Sequence, residues 1–193
     1  MPSAVVMAAA FVLLSRSIEV PLAIFAAAAL HEGAHIAALT ALHAPPERLT
    51  LSAGGASLYA PKLDRLSYGG ELLCTAAGPV CNLLLWAGLS LTGIDALAVF
   101  SGVNLFLGAL NLLPVQPMDG GRLLWLTAAL TWEPYRADRG AAIVGLCASM
   151  GLLALCLYLT LRTGGGLFLL PGALWLTVTA VKSPCQIRRK QVQ

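Results

Sequence analysis

The chain has 193 residues, 58% of them hydrophobic and 11% charged, with a formal net charge of +3 and a mean hydropathy of +0.80. A soluble domain carries roughly 25% charged residues, so the surface needed to face water is missing and the chain reads as an integral membrane protein. The small positive balance forms no basic face and no basic–aromatic interleaving, which argues against a nucleic-acid partner.

Taken in chain order, apolar runs predict six membrane spans at 1–15, 20–42, 70–91, 94–113, 141–161 and 167–181. Met1–Leu14 lacks a basic leading region and a clear cleavage site, so it reads as a first span rather than a signal peptide. After the second span, prolines exclude a continuous helix, and Leu49–Tyr59 around Gly54-Gly55 reads as a short hairpin. After the fourth span the prolines of "PVQPMDGGRL" break the chain again, and Arg122–Trp132 is too short to cross. The last span is short and contains Pro171 and Gly172. The expected fold is an all-α polytopic membrane protein of about six transmembrane helices, with a β-hairpin or re-entrant element after the second. With the N-terminus in the cytoplasm, all but Arg16 and Arg162 of the 12 Lys and Arg residues fall on the inner side. That asymmetry places both termini in the cytoplasm. Cys74, Cys81, Cys147, Cys156 and Cys185 show no paired spacing and read as packing residues. No internal repeat or long linker appears, so residues 1–193 read as one membrane domain.

The second span contains "LHEGAHIA". His31 and His35 are four residues apart, which puts both imidazoles on one helix face at the spacing that holds a zinc ion. Glu32 lies beside them, placed to take a proton from a metal-bound water. Each ionisable group near a bilayer centre costs on the order of 2.5–3.5 kcal/mol, whereas polar interhelical contacts return about 1 kcal/mol. Three such groups within five residues therefore point to a metal site rather than to helix packing. A hydrolytic zinc wants three protein ligands. His43 is too far along the helix axis to be the third and reads as an interfacial histidine. Asp119, in "NLLPVQPMDGGRL", is the better candidate, with Gly120-Gly121 permitting a tight backbone beside it. Its competing role is to cap a helix beginning near Gly121–Arg122. Asn82 and Asn111 are amides in apolar helices, suited to interhelical hydrogen bonding or to a direct role in the site. Asn104, two turns before Asn111, is a weaker lining candidate.

"HEGAH" in the second span, "AAGPVCN" (Ala76–Asn82) in the third and "NLLPVQPMDGG" (Asn111–Gly121) after the fourth resemble the site-2 protease family of intramembrane zinc metalloproteases. The resemblance covers roughly residues 18–125 and is closest to the six-span branch that processes a sporulation sigma-factor precursor. It implies one Zn2+ held by His31, His35 and Asp119, with Glu32 as catalytic base and acid. Asn111 would contact substrate backbone, Asn82 matches the asparagine of the third-span motif, and the hairpin at Gly54 and Gly55 also fits. The substrate class implied is a membrane-associated protein, such as a transcription-factor precursor, in a bacterial cell membrane. The active site would face the cytoplasmic side. Neither a PDZ nor a CBS domain, carried by some branches, fits the short loops and tail seen here. The rival class is a transporter or metal-binding membrane protein using buried His, Glu and Asp as an ion pathway. It gives no reason for the H-E-x-x-H spacing with a Pro-x-Asp-Gly turn. An inactive scaffold is a third reading, and the intact His31, Glu32, His35 and Asp119 argue against it.

Overall fold

The computed structural model describes residues 18–46, 48–52, 55–59, 66–163 and 170–182. The expected span over residues 1–15 and the turn residue Gly54 lie outside them. The chain divides into two compact units, Met1–Asn111 and Leu112–Gln193. Among the described residues three helices are long and apolar enough to cross a membrane: Glu19–Ala41, Tyr68–Thr92 and Pro134–Arg162. Shorter apolar helices cover Asp95–Asn111 and Leu170–Val181. Burial is inverted relative to a water-soluble protein. Asn82, Asn104 and Ser149 are 0% exposed while Leu91 is 88% exposed and Phe25 74%, so the apolar side chains face outward. The protein is mostly helical and multi-pass.

In the first unit, α1 (Glu19–Ala41) and α2 (Tyr68–Thr92) run antiparallel, as the order of their contacts shows. Helix α1 stops at His43, whose φ of 59° is left-handed. The His43 N–H donates to the Thr40 carbonyl at 3.0 Å and the Ala44 N–H to the Leu39 carbonyl at 2.9 Å. This is the Schellman arrangement, closed by Leu39 and Ala44 packing with Cys74. His43 is thus a helix stop, a role glycine usually fills, and Pro45-Pro46 carry the chain away. Backbone strands β1 (Arg48–Ser52) and β2 (Gly55–Tyr59) pair antiparallel, with Arg48 opposite Tyr59 and Ser52 opposite Gly55. The Ser67 hydroxyl caps α2 by accepting from the Gly70 N–H at 3.2 Å. Gly93, with φ 64°, ends it. A turn of 3₁₀ helix at Asp95–Leu97 leads into α3 (Ala98–Asn111), which folds back on α2. There Ser90 and Ser101 share a hydrogen bond of 2.9 Å, and Gly108 admits Leu83.

In the second unit, a turn over 112–118 leads into α4 (Asp119–Ala129), followed by α5 (Pro134–Thr163) and α6 (Leu170–Lys182). The expected start of the fifth span at 141 is corrected to Pro134. Hydropathy marks only the apolar part, whereas the helix continues through Arg136 and Arg139, and proline is tolerated in a first turn. The turn is seated by Val115, which packs with Leu176 and Ala180 of α6 and Ala148 and Leu152 of α5.

Helix α4 begins at Asp119 itself. Met118 is the extended N-cap residue and makes no side-chain capping bond. In the competing reading Asp119 caps a helix starting near Gly121–Arg122; the helix starts two residues earlier, with Met118 at the N-cap position and Asp119 in the first turn. The reason for Gly120-Gly121 is also sharper than conformational freedom. A Cβ on Gly120 would lie 2.2 Å from the Leu112 carbonyl oxygen and 2.5 Å from that of Leu113. One on Gly121 would lie 2.7 Å from the Val115 carbonyl carbon. The first turn of α4 lies backbone to backbone on the preceding turn.

A Gly120→Ala substitution should therefore destabilise by at least about 1–3 kcal/mol, the usual cost of overpacking. The control is Gly151→Ala, where a Cβ meets nothing within 4 Å and helix propensity predicts a gain of up to about 1 kcal/mol. Thermal unfolding of the two variants in detergent should shift in opposite directions.

Candidate metal centre

The arrangement around His31 and His35 can be built from groups whose hydrogen-bonding sense is fixed. Their rings meet edge to face, with centroids 4.8 Å apart and planes at 81°. His35 Nδ1 lies 2.7 Å from the Cys74 carbonyl oxygen. A carbonyl only accepts, so His35 carries its proton on Nδ1. For His31 the sense follows from a longer chain. Asn104 Nδ2 donates to the Phe100 carbonyl at 2.9 Å, which turns its Oδ1 toward Asn82. Asn82 Nδ2 donates to that Oδ1 at 2.9 Å and to the Ala27 carbonyl at 3.4 Å. Asn82 Oδ1 is left to accept, and His31 Nδ1 donates to it at 2.6 Å.

Both Nδ1 positions are therefore committed, which leaves Nε2 of each ring as the nitrogen that could ligate a metal. These two nitrogens lie 3.2 Å apart. Two ring nitrogens at that distance can share a cation, a proton or a metal ion. Two imidazoles on one tetrahedral zinc, at Zn–N of 2.0–2.1 Å, would hold their nitrogens about 3.3–3.4 Å apart. The donor set fits zinc. His31 is 5% exposed, and His35 is partly buried.

The facing surface of α2 supplies the rest. Cys74, Gly78 and Asn82 stand four residues apart on one helix stripe. Cys74 and Asn82 hold the two Nδ1 atoms, and Gly78 lies between. A Cβ on Gly78 would fall 2.3 Å from His35 Nε2 and 2.7 Å from His31 Nε2. Pro79 removes the N–H that would pair with the Thr75 carbonyl and crowds that turn, immediately beside the Cys74 carbonyl used by His35.

Glu32 follows His31 directly and is partly buried. Asp119, the first residue of α4, is partly buried and belongs to the second unit. Asn82 is fully buried with both amide atoms engaged in hydrogen bonds to neighbouring helices, one of them to His31. Asn104 is buried behind it. Asn111, the last residue of α3, donates from Nδ2 to the Leu107 carbonyl at 3.1 Å. Gly55 pairs through its backbone with Ser52. Sequence reasoning missed Gly78 and the Cys74 carbonyl. The signal for Gly78 was its place four residues before Asn82 in "AAGPVCN"; a backbone carbonyl leaves no signal.

The peptidase family M50 model matches residues 87–155, a segment that includes "NLLPVQPMDGG" and not the histidine pair. A zinc metalloprotease of Methanocaldococcus jannaschii is 27% identical over 140 residues, 67% of this chain and 40% of its own length. The Rip3 protein of Mycobacterium tuberculosis is 36% identical over 116 residues, 52% of this chain and 28% of its own. The chain thus spans well under half the length of these relatives. Among solved structures, the site-2 protease from Methanocaldococcus jannaschii superposes with a TM-score of 0.66 at 23% identity, over 94% of this chain and 86% of that one. The fold is that of a site-2 protease, and these likenesses bear out the family resemblance carried by the motifs.

A Gly78→Ala substitution puts a methyl group against both Nε2 atoms. It should leave the helix content unchanged and weaken zinc binding at least about tenfold, as other disturbances of ligand orientation do. Circular dichroism beside a chelator competition titration checks both halves.

Proposed function

We propose that this chain, with the site-2 protease fold and a segment matching peptidase family M50, is an intramembrane zinc metalloprotease. It hydrolyses peptide bonds in or near the membrane segment of a membrane-associated protein. The observation that carries this reading is the approach of His31 Nε2 and His35 Nε2 to 3.2 Å on an apolar helix, with Glu32 next in sequence. As the family resemblance implies, His31, His35 and Asp119 would hold one zinc ion. Bound there, zinc supplies Lewis-acid polarisation of a carbonyl and lowers the pKa of a coordinated water toward about 7.

Glu32 accepts the proton of the attacking water and returns it to the leaving amine. The scissile carbonyl of a transmembrane helix is already hydrogen-bonded, so the substrate unwinds locally before attack. An extended substrate segment adds to the edge of the β1–β2 pair near Gly54 and Gly55, and Asn111 contacts its backbone. The two units act as one protease domain of six spans, with both termini and the water entry on the cytoplasmic side of a bacterial membrane. The substrate class is a membrane-associated transcription-factor precursor, following the likeness to the sporulation branch.

Glu32→Gln should keep its zinc and lose cleavage of a membrane-tethered substrate by on the order of 10²–10⁴-fold, the usual contribution of a general base. Cleavage at the wild-type rate would remove Glu32 from the mechanism. Asp119→Ala should lower zinc stoichiometry in metal analysis of the purified protein; an unchanged value would assign the third ligand elsewhere.

A further inference from the structure

We infer that Asn82 and Asn104 form a positioning relay that ties helix α3 to the metal-ligating nitrogen of His31. The inference rests on reading His31 and His35 as metal ligands. An imidazole binds a metal through one nitrogen only when the other is held, and the partner of that second nitrogen sets tautomer and ring orientation. For His35 the holder is the Cys74 backbone, 2.7 Å away, which no substitution changes directly. For His31 it is a side chain, Asn82 Oδ1 at 2.6 Å.

An isolated asparagine can turn its amide and offer nitrogen in place of oxygen. Here it cannot do so without loss. Its Nδ2 is anchored to Asn104 Oδ1 at 2.9 Å and faces the Ala27 carbonyl at 3.4 Å. Asn104 is in turn anchored by its own helix through the Phe100 carbonyl at 2.9 Å. Asn82 and Asn104 are both 0% exposed, so water cannot substitute for any link. Turning Asn82 would set its NH₂ against the His31 Nδ1–H, donor against donor, and its oxygen against two acceptors. The relay therefore has one polarity, from the Phe100 carbonyl to a His31 protonated on Nδ1, which makes Nε2 its ligating nitrogen. Asn104 touches neither histidine in this chain of bonds and acts through Asn82.

The relay separates a positioning role from a packing role. Asn82→Asp keeps the shape and the acceptor oxygen facing His31 Nδ1, but buries a carboxyl group. Asn82→Leu keeps the volume and removes the acceptor. On the full chain in detergent, zinc affinity is read by competition with a chromophoric chelator, and the absorption of the Co2+-loaded protein reports ligand geometry. Asn82→Leu should bind zinc about 10–100-fold more weakly, the usual range for loss of such a partner, with an altered Co2+ spectrum. Asn82→Asp should bind within a few-fold of wild type and keep the spectrum, although its thermal unfolding temperature falls at least as far as that of the Leu variant. Asn104→Leu should weaken zinc less than Asn82→Leu does, and the double variant should match Asn82→Leu alone, because both act on one chain.

If both Asn82 variants lose zinc in proportion to their loss of stability, the residue is packing and the relay is overturned. Unchanged affinity in Asn82→Leu overturns it equally, as does additivity of the two positions. Failure of the underlying metal reading is distinguishable: wild type would then bind no zinc, or His31→Ala would bind it as wild type does.

Discussion

Two ring nitrogens that face each other inside an apolar helix pair constrain most of the first unit. His31 Nε2 and His35 Nε2 are 3.2 Å apart, close to the spacing that two imidazoles on one zinc ion would have. Each ring is held there by its far nitrogen, His31 on Asn82 and His35 on Cys74. The consequence is a fixed register between α1 and α2. Apolar side chains do little to set such a register in a bilayer, because lipid tails are as apolar as leucine. Directional bonds set it instead: Ala27 to Asn82 at one level, His35 to Cys74 two turns on, and the Leu39–Cys74 packing beyond.

The same constraint explains why the polar groups are buried and the large apolar ones exposed. A lone asparagine inside an apolar helix bundle would leave donors and acceptors unmet, at a cost of several kcal/mol each in a hydrocarbon environment. Asn82 and Asn104 avoid that cost by completing one another. Among the described residues no buried side-chain nitrogen or oxygen lacks a partner. Outward-facing Phe25, Leu91 and Phe106 need no protein partner, since lipid serves.

The long helices among the described residues and the pairing of His31 with His35 on one helix face were legible in the sequence because each has a local signature. A long apolar run marks a span, and H-E-x-x-H marks two rings on one face. The start of α5 at Pro134 was not legible from hydropathy, because Arg136 and Arg139 interrupt the run without interrupting the helix. The left-handed helix stop at His43 was hidden by a residue type that seldom does this work. Asn82 was visible as an unusual residue, but which of its atoms faces what depends on Phe100, Ala27 and Asn104, all distant along the chain. Long-range pairing of that kind leaves no pattern in a window of sequence. The Cys74 carbonyl is more hidden still, since every residue has one.

Glycine shows the same limit from the other side. Transmembrane helices are rich in glycine, so its presence alone says little. Gly33, Gly88, Gly102 and Gly172 face nothing within 4 Å, and a methyl group at any of them would meet open space or lipid. Gly78 and Gly120 look the same in sequence and differ entirely in what they face: two imidazole nitrogens in one case, two backbone carbonyls in the other. Both stand beside a metal-ligand candidate, Gly78 against His31 and His35 and Gly120 directly after Asp119. A metal centre built in helices needs its ligands to come near without the backbone being pushed away, and a missing Cβ is the only way a helix can supply that space. The relevant property of these two residues is therefore not flexibility, because both lie inside regular helix. It is room, reserved at the places where side chain or backbone of another segment must reach the helix axis.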